Sequence, residues 1–110
     1  MISDDDIEKA ADYLRNNARA AAQAKAEREY MEEFKKVIKS KIMRENEHLP
    51  LGAQEAIAFT DTRYDQHLKA LREAIERDEY NRWMMKAAEA KLEARRTLQA
   101  NFRAEGKAYG

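Results

Sequence analysis

Neither glycine nor proline occurs between Met1 and Leu49, nor again between Ala53 and Glu105. The two residues that most oppose helix, by roughly 1 and 3 kcal/mol relative to alanine, are confined to Pro50 and Gly52 in "HLPLGA" and to Gly106 and Gly110 at the C-terminus. Val, Ile and Thr are scarce, while Ala, Glu, Lys, Arg, Leu, Met and Gln dominate. The expected fold is therefore all-α: two long helices joined by a short helical corner, an antiparallel helical hairpin that pairs into a dimeric bundle.

Residues 1–110 are expected to form a single helical domain. The first helix should span about 3–47. Ser3 can cap it, and Asp4, Asp5 and Asp6 suit the positive end of its dipole. Apolar residues recur at helical intervals at Ile7, Ala11, Leu14 and Ala18, then at Tyr30, Met31, Phe34, Ile38 and Ile42. Pro50 enforces a stop. A corner over 48–61 contains room for a short helix at 53–59.

The last helix should span about 62–105, with Thr62 as cap, Asp65 three residues on, and Gly106 as the residue that ends it. Tyr64, Leu68, Leu71 and Ile75 form its stripe, extended by Trp83, Met84, Ala87, Ala88, Leu92, Leu98 and Phe102. Asp65, Lys69, Glu73 and Arg77 alternate in sign every four residues, as on a solvated face. Two helices of about 43 residues would each be roughly 65 Å long. The alanine-rich stretch 18–26 would allow close helix approach. No strict heptad is legible through 18–29, which favours a bundle over a continuous parallel coiled coil.

Hydrophobic residues make up 44% of the chain, but many are alanines that add little to a core. Self-association, as a dimer, would bury the same stripe against a copy. The expected core and self-association residues are Leu14, Phe34, Ile38, Ile42, Leu68, Leu71, Ile75, Trp83, Met84, Leu92, Leu98 and Phe102.

Acidic and basic residues balance at 21 each, so no global field draws the chain to nucleic acid or anionic lipid. Cysteine is absent, which removes disulfides and thiolate metal sites. No apolar run reaches the length of a signal or membrane segment. The expectation is a cytoplasmic protein without a membrane partner.

Catalytic chemistry has little to work with. Glu45 and His48 have the E-x-x-H spacing of di-iron bundles, but His67 has Tyr64 three residues before it and no second pair follows. His67 and Asp65, two apart on a helix, do not face one another. Ser3 and Ser40 are the only serines, and no glycine-rich phosphate loop exists. No metal, cofactor or enzyme activity is expected.

Two basic stretches stand out. "FKKVIKSKIMR" supplies Lys35, Lys36, Lys39, Lys41 and Arg44; Lys35, Lys39 and, less closely, Lys36 with Arg44 lie on faces away from Phe34, Ile38 and Ile42. Arg95, Arg96 and Arg103 follow near the C-terminus, with Lys107 beyond. A phosphate-binding strip is one reading. Solvated helix faces and favourable charge at helix ends are the other, and this structural reading outweighs nucleic-acid contact. Arg95 and Arg96 stand about 100° apart on a helix. Arg95 therefore borders the buried face, where it could snorkel, pair with a carboxylate or stack on a ring.

The segment "YDQHLKALREAIERDEYNRWMMKAAEAKLEARRTLQANFRAEG" contains H-L-x-x-L-x-x-A at His67–Ala74 and R-x-x-x-A-N-x-R-A at Arg96–Ala104. With the long helix and corner before it, this segment resembles small all-helical proteins of tailed bacteriophages and prophages. Arg95 departs from the resemblance, which would place an aromatic or apolar residue there. The resemblance implies a neighbourhood of recombination and replication genes, and it carries over no site residues. The functional expectation is an accessory protein of phage DNA metabolism that acts on an unknown protein partner. Direct nucleic-acid binding and a role in virion assembly are the alternatives.

Overall fold

A computed structural model describes residues 2–109, with side chains for 2–106. The described residues are all-helical and contain no strand: α1 spans Asp4–Glu45, α2 spans Leu51–Thr60 and α3 spans Thr62–Tyr109.

Short-range chemistry fixes the helix ends. The Ser3 hydroxyl accepts the Asp6 N–H at 3.1 Å while the Asp6 carboxylate accepts the Ser3 N–H at 3.2 Å, so two free donors are satisfied reciprocally. After Glu45 the backbone tightens, with Asn46, Glu47 and Leu49 each donating to a carbonyl three residues back. Pro50 is extended, and α2 starts directly after it. The Gln54 amide donates back to the Leu49 carbonyl at 2.8 Å and holds this turn closed. Asp61 then breaks the helix with an extended ψ of 139°.

Asp61, not Thr62, caps α3: its carboxylate accepts the Arg63 N–H at 2.8 Å. At the other end, α3 continues through Gly106 to Tyr109. No glycine adopts positive φ among the described residues, so Gly106 makes no left-handed cap.

The chain divides into two compact units. One comprises Ala22–Glu79. Its core is Ile42, Ala58 and Tyr64, one residue from each helix, with Ile38, Met43 and Ile57 packed around it. Within this unit α1 and α3 run antiparallel: Glu45 meets Arg63, and Arg28 meets Asp78 and Glu79. The residues turned inward follow gaps of three and four. On α1 they are Ala24, Arg28, Met31, Lys35, Ile38 and Ile42; on α3 they are Tyr64, His67, Leu71, Ala74 and Asp78. That alternation is a heptad seam. The other unit comprises residues up to Ala21 and from Tyr80 on. Its seam is Ile7, Ala10, Leu14, Asn17 and Ala21 with Asn81, Met85, Ala88, Leu92 and Arg95.

One expectation changes here. Heptad spacing does pass through 18–29, at Ala21, Ala24 and Arg28. Alanines and an arginine, rather than bulky apolar residues, occupy these positions. Of the residues expected in the core or in self-association, Ile42 and Leu71 are buried within the chain, and Leu14, Phe34, Ile38, Ile75 and Leu92 are half-buried. Leu68, Trp83, Met84, Leu98 and Phe102 are exposed. Tyr64 and Leu71 take the inward register on α3, so Leu68 falls beside it. Past Tyr80, Met85, Ala88 and Leu92 take it, and Trp83 and Leu98 are left outside.

Candidate functional site

The outer face of α1 in the Ala22–Glu79 unit carries a second row at gaps of four and three: Tyr30, Phe34, Val37, Lys41 and Arg44. Tyr30 is 63% and Val37 42% exposed. Tyr30 stacks on Phe34 with ring centroids 5.8 Å apart and planes 16° from parallel. The Lys41 ammonium stands 6.0 Å from the Phe34 centroid, at the outer limit of a cation–π contact. Toward its C-terminal end the row forms the wall of a shallow groove lined by Lys36, Val37, Ser40, Lys41 and Arg44. No carboxylate belongs to the row. Glu33, beside it, holds Lys36 at 3.3 Å.

Phe34 owes its position to α3. Its ring lies 5.7 Å from that of His67. His67 Nε2 in turn sits 2.7 Å from the Met31 carbonyl oxygen. A carbonyl only accepts, so Nε2 carries the proton and the imidazole is fixed across the helix pair. The aromatic end of the row is thereby anchored, while its basic end projects from the last two turns of α1.

The five cations of residues 35–44 do not make one strip. Successive helical residues turn by 100°, which spreads them around α1. Lys41 and Arg44 join the exposed row, and Lys36 borders it. Lys35 and Lys39 are half-buried. Lys35 occupies a seam position, and the Lys39 ammonium lies 4.6 Å over the ring of Phe59. Phe59 packs edge-on against Tyr64 at 5.5 Å, so Lys39 covers the corner of the core. These two were expected on outward faces; both are half-buried instead, as long aliphatic stems allow.

In the other unit, Arg95 occupies the seam register and pairs with the Asp4 carboxylate. Arg96 pairs with Glu93 at 3.4 Å on its own helix, and Arg103 is exposed. The Lys107 side chain lies outside the described residues.

Two arginines organise the electrostatics of the Ala22–Glu79 unit. Arg28 donates to Glu32, Asp78 and Glu79 at 3.0–3.2 Å, and these hydrogen bonds raise its pKa. Arg63 donates to both oxygens of Glu45 at 2.8 and 2.7 Å and to both oxygens of Asp61 at 3.1 Å. Those bonds hold the Glu45 and Asp61 carboxyls below their ordinary values. Glu45 is thus committed to Arg63, and His48 lies past the end of α1. The E-x-x-H spacing is not realised on one helix face. Among the described residues no group of three or more His, Asp or Glu is gathered as a metal site would require. No helix of the described residues is long and apolar enough to cross a membrane.

Set against protein families, curated proteins and solved structures, the chain matches none of them.

Proposed function

We propose that this chain is a non-enzymatic interaction protein, whose docking face is the row Tyr30, Phe34, Val37, Lys41 and Arg44. The single observation that carries this reading is the order along the row. Exposed Tyr30 and Val37, with half-buried Phe34 between them, lead into cations, with no carboxylate among them. An apolar strip ending in positive charge fits a helix or peptide that presents an apolar face followed by acidic residues. The chain works as a dimer in the cytoplasm of a phage-infected or lysogenic host, as an accessory to DNA recombination or replication. The phage setting rests on the resemblance at His67–Ala74 and Arg96–Ala104 alone.

Direct nucleic-acid binding is the second reading, and the clustering of Lys36, Lys41 and Arg44 around one groove favours it. Phosphate contacts make binding steeply dependent on salt, with on the order of 10³-fold lost between about 50 and 200 mM for six or more contacts. Anisotropy of labelled single- and double-stranded DNA at those two salt concentrations separates the readings. Weak binding at both is expected. Tight, salt-steep binding abolished in a K36Q/K41Q/R44Q variant would replace protein docking with DNA contact. A photoreactive residue at Val37 should cross-link one protein partner in infected cells, and K41E/R44E should suppress that cross-link.

A further inference from the structure

We infer that a second copy of this chain docks antiparallel on the outer face of α3 between Tyr80 and Leu98. Tyr80, Trp83, Ala87, Ala90, Ala94 and Leu98 follow one another at gaps of three and four and share one face. Met85, Ala88 and Leu92 of the same stretch are turned into the seam, so this face is a separate one. None of the six is charged, in a chain of which 38% is charged. Tyr80 and Trp83 are each 63% exposed, Leu98 is 42% exposed, and Ala87 and Ala90 are exposed. A contiguous apolar surface of this kind marks an interaction site.

The order of side-chain sizes selects the occupant. Bulky groups stand at both ends and three alanines stand between them. A two-fold axis midway between Ala87 and Ala90 sets Trp83 over Ala94 of the copy, Ala87 over Ala90, and Tyr80 beside Leu98. Large side chains then fill the hollows left by small ones, as close packing requires. Parallel pairing would stack Trp83 on Trp83 and alanine on alanine, with a clash at one level and a gap at the next.

Charge selects the same alignment. Lys86 and Glu93, seven residues apart, border the row on the same side. An antiparallel copy brings each Lys86 toward the other chain's Glu93, twice per dimer. A parallel copy would instead set Lys86 toward the other chain's Lys91, a like charge. Both groups have local contacts that leave them at the surface: Lys86 lies 5.0 Å over the Trp83 ring and Glu93 pairs with Arg96. This inference rests on the dimeric part of the proposed function and not on its α1 docking face.

Sedimentation equilibrium on the full chain tests it, with the mass expected at twice 12.8 kDa. Ala90→Glu should raise the dimer dissociation constant by on the order of 100-fold, since two unpaired charges would be buried, with helicity unchanged by circular dichroism. Lys86→Glu and Glu93→Lys should each weaken the dimer, and the double variant K86E/E93K should restore it. A wild-type monomer at tens of micromolar would overturn the inference. So would a dimer indifferent to Ala90→Glu, or single charge variants that the double fails to rescue. Val37 cross-linking that survives Ala90→Glu would keep the α1 docking reading whatever the fate of the dimer.

Discussion

Arg63, the second residue of α3, closes on both carboxylate oxygens of Glu45, the last residue of α1, at 2.8 and 2.7 Å. The same guanidinium holds both oxygens of Asp61, so one side chain ties the end of α1 to the cap of α3. The two-pronged geometry is one that arginine provides and lysine does not.

This clamp sets a pH dependence. The Glu45 and Asp61 carboxyls are depressed chiefly by hydrogen bonds from the Arg63 side chain. A depressed folded-state value means that the contribution is fully present above the unfolded values, near 4.3 for Glu and 3.9 for Asp. It is lost as pH falls through the folded ones. Carbon-detected NMR titration should place the Glu45 midpoint below the ordinary glutamate range. Arg63→Gln should move it back, and an unchanged midpoint would refute the clamp.

Asp61 both stops α2 and caps α3. Asp61→Ala should lower the urea midpoint and speed amide exchange at Arg63, whereas Asp61→Ser should retain most of the protection because a hydroxyl also accepts at the cap. Equal loss in the two variants would locate the effect in the Arg63 ion pair rather than the cap.

Ile42 is 1% exposed and touches the core that all three helices share. Ile42→Ala should cost about 2–5 kcal/mol and Ile42→Val about 0.5–1.5 kcal/mol by chemical denaturation. A cost below about 1 kcal/mol for alanine would mean that the core collapses around the lost volume.

The Arg28 guanidinium reaches Asp78, whose side chain is only 15% exposed, from a seam position. Removing one member leaves the other poorly solvated without its partner, whereas replacing both with apolar groups removes the burden. Arg28→Met and Asp78→Leu should each lower the melting temperature, and R28M/D78L should recover most of the loss. Additive losses would show that the two groups act independently.

The all-α character was legible from the placement of Pro50 and Gly52 alone, because a chain without breakers and rich in helix formers has no competing local structure. The Ser3 cap, and Ile42 and Leu71 as buried positions, were legible for the same local reasons. Lys41, Arg44 and Phe34 could be singled out individually. The row that joins them to Tyr30 and Val37 required reading a second period on the same helix. Lys35 and Lys39 look solvated by residue type alone, yet both are half-buried.

The sequence by itself determined that this protein is helical and where its helices must turn. Backbone propensity and capping are properties of a few neighbouring residues. Which face of each helix turns inward was decided only by tertiary structure. From Tyr80 to Leu98, α3 is apolar on two sides, and nothing within that segment ranks one above the other. The partner segment of α1, with Ala10, Leu14, Asn17 and Ala21 in its seam, is matched by Met85, Ala88 and Leu92, and Trp83 is left at the surface.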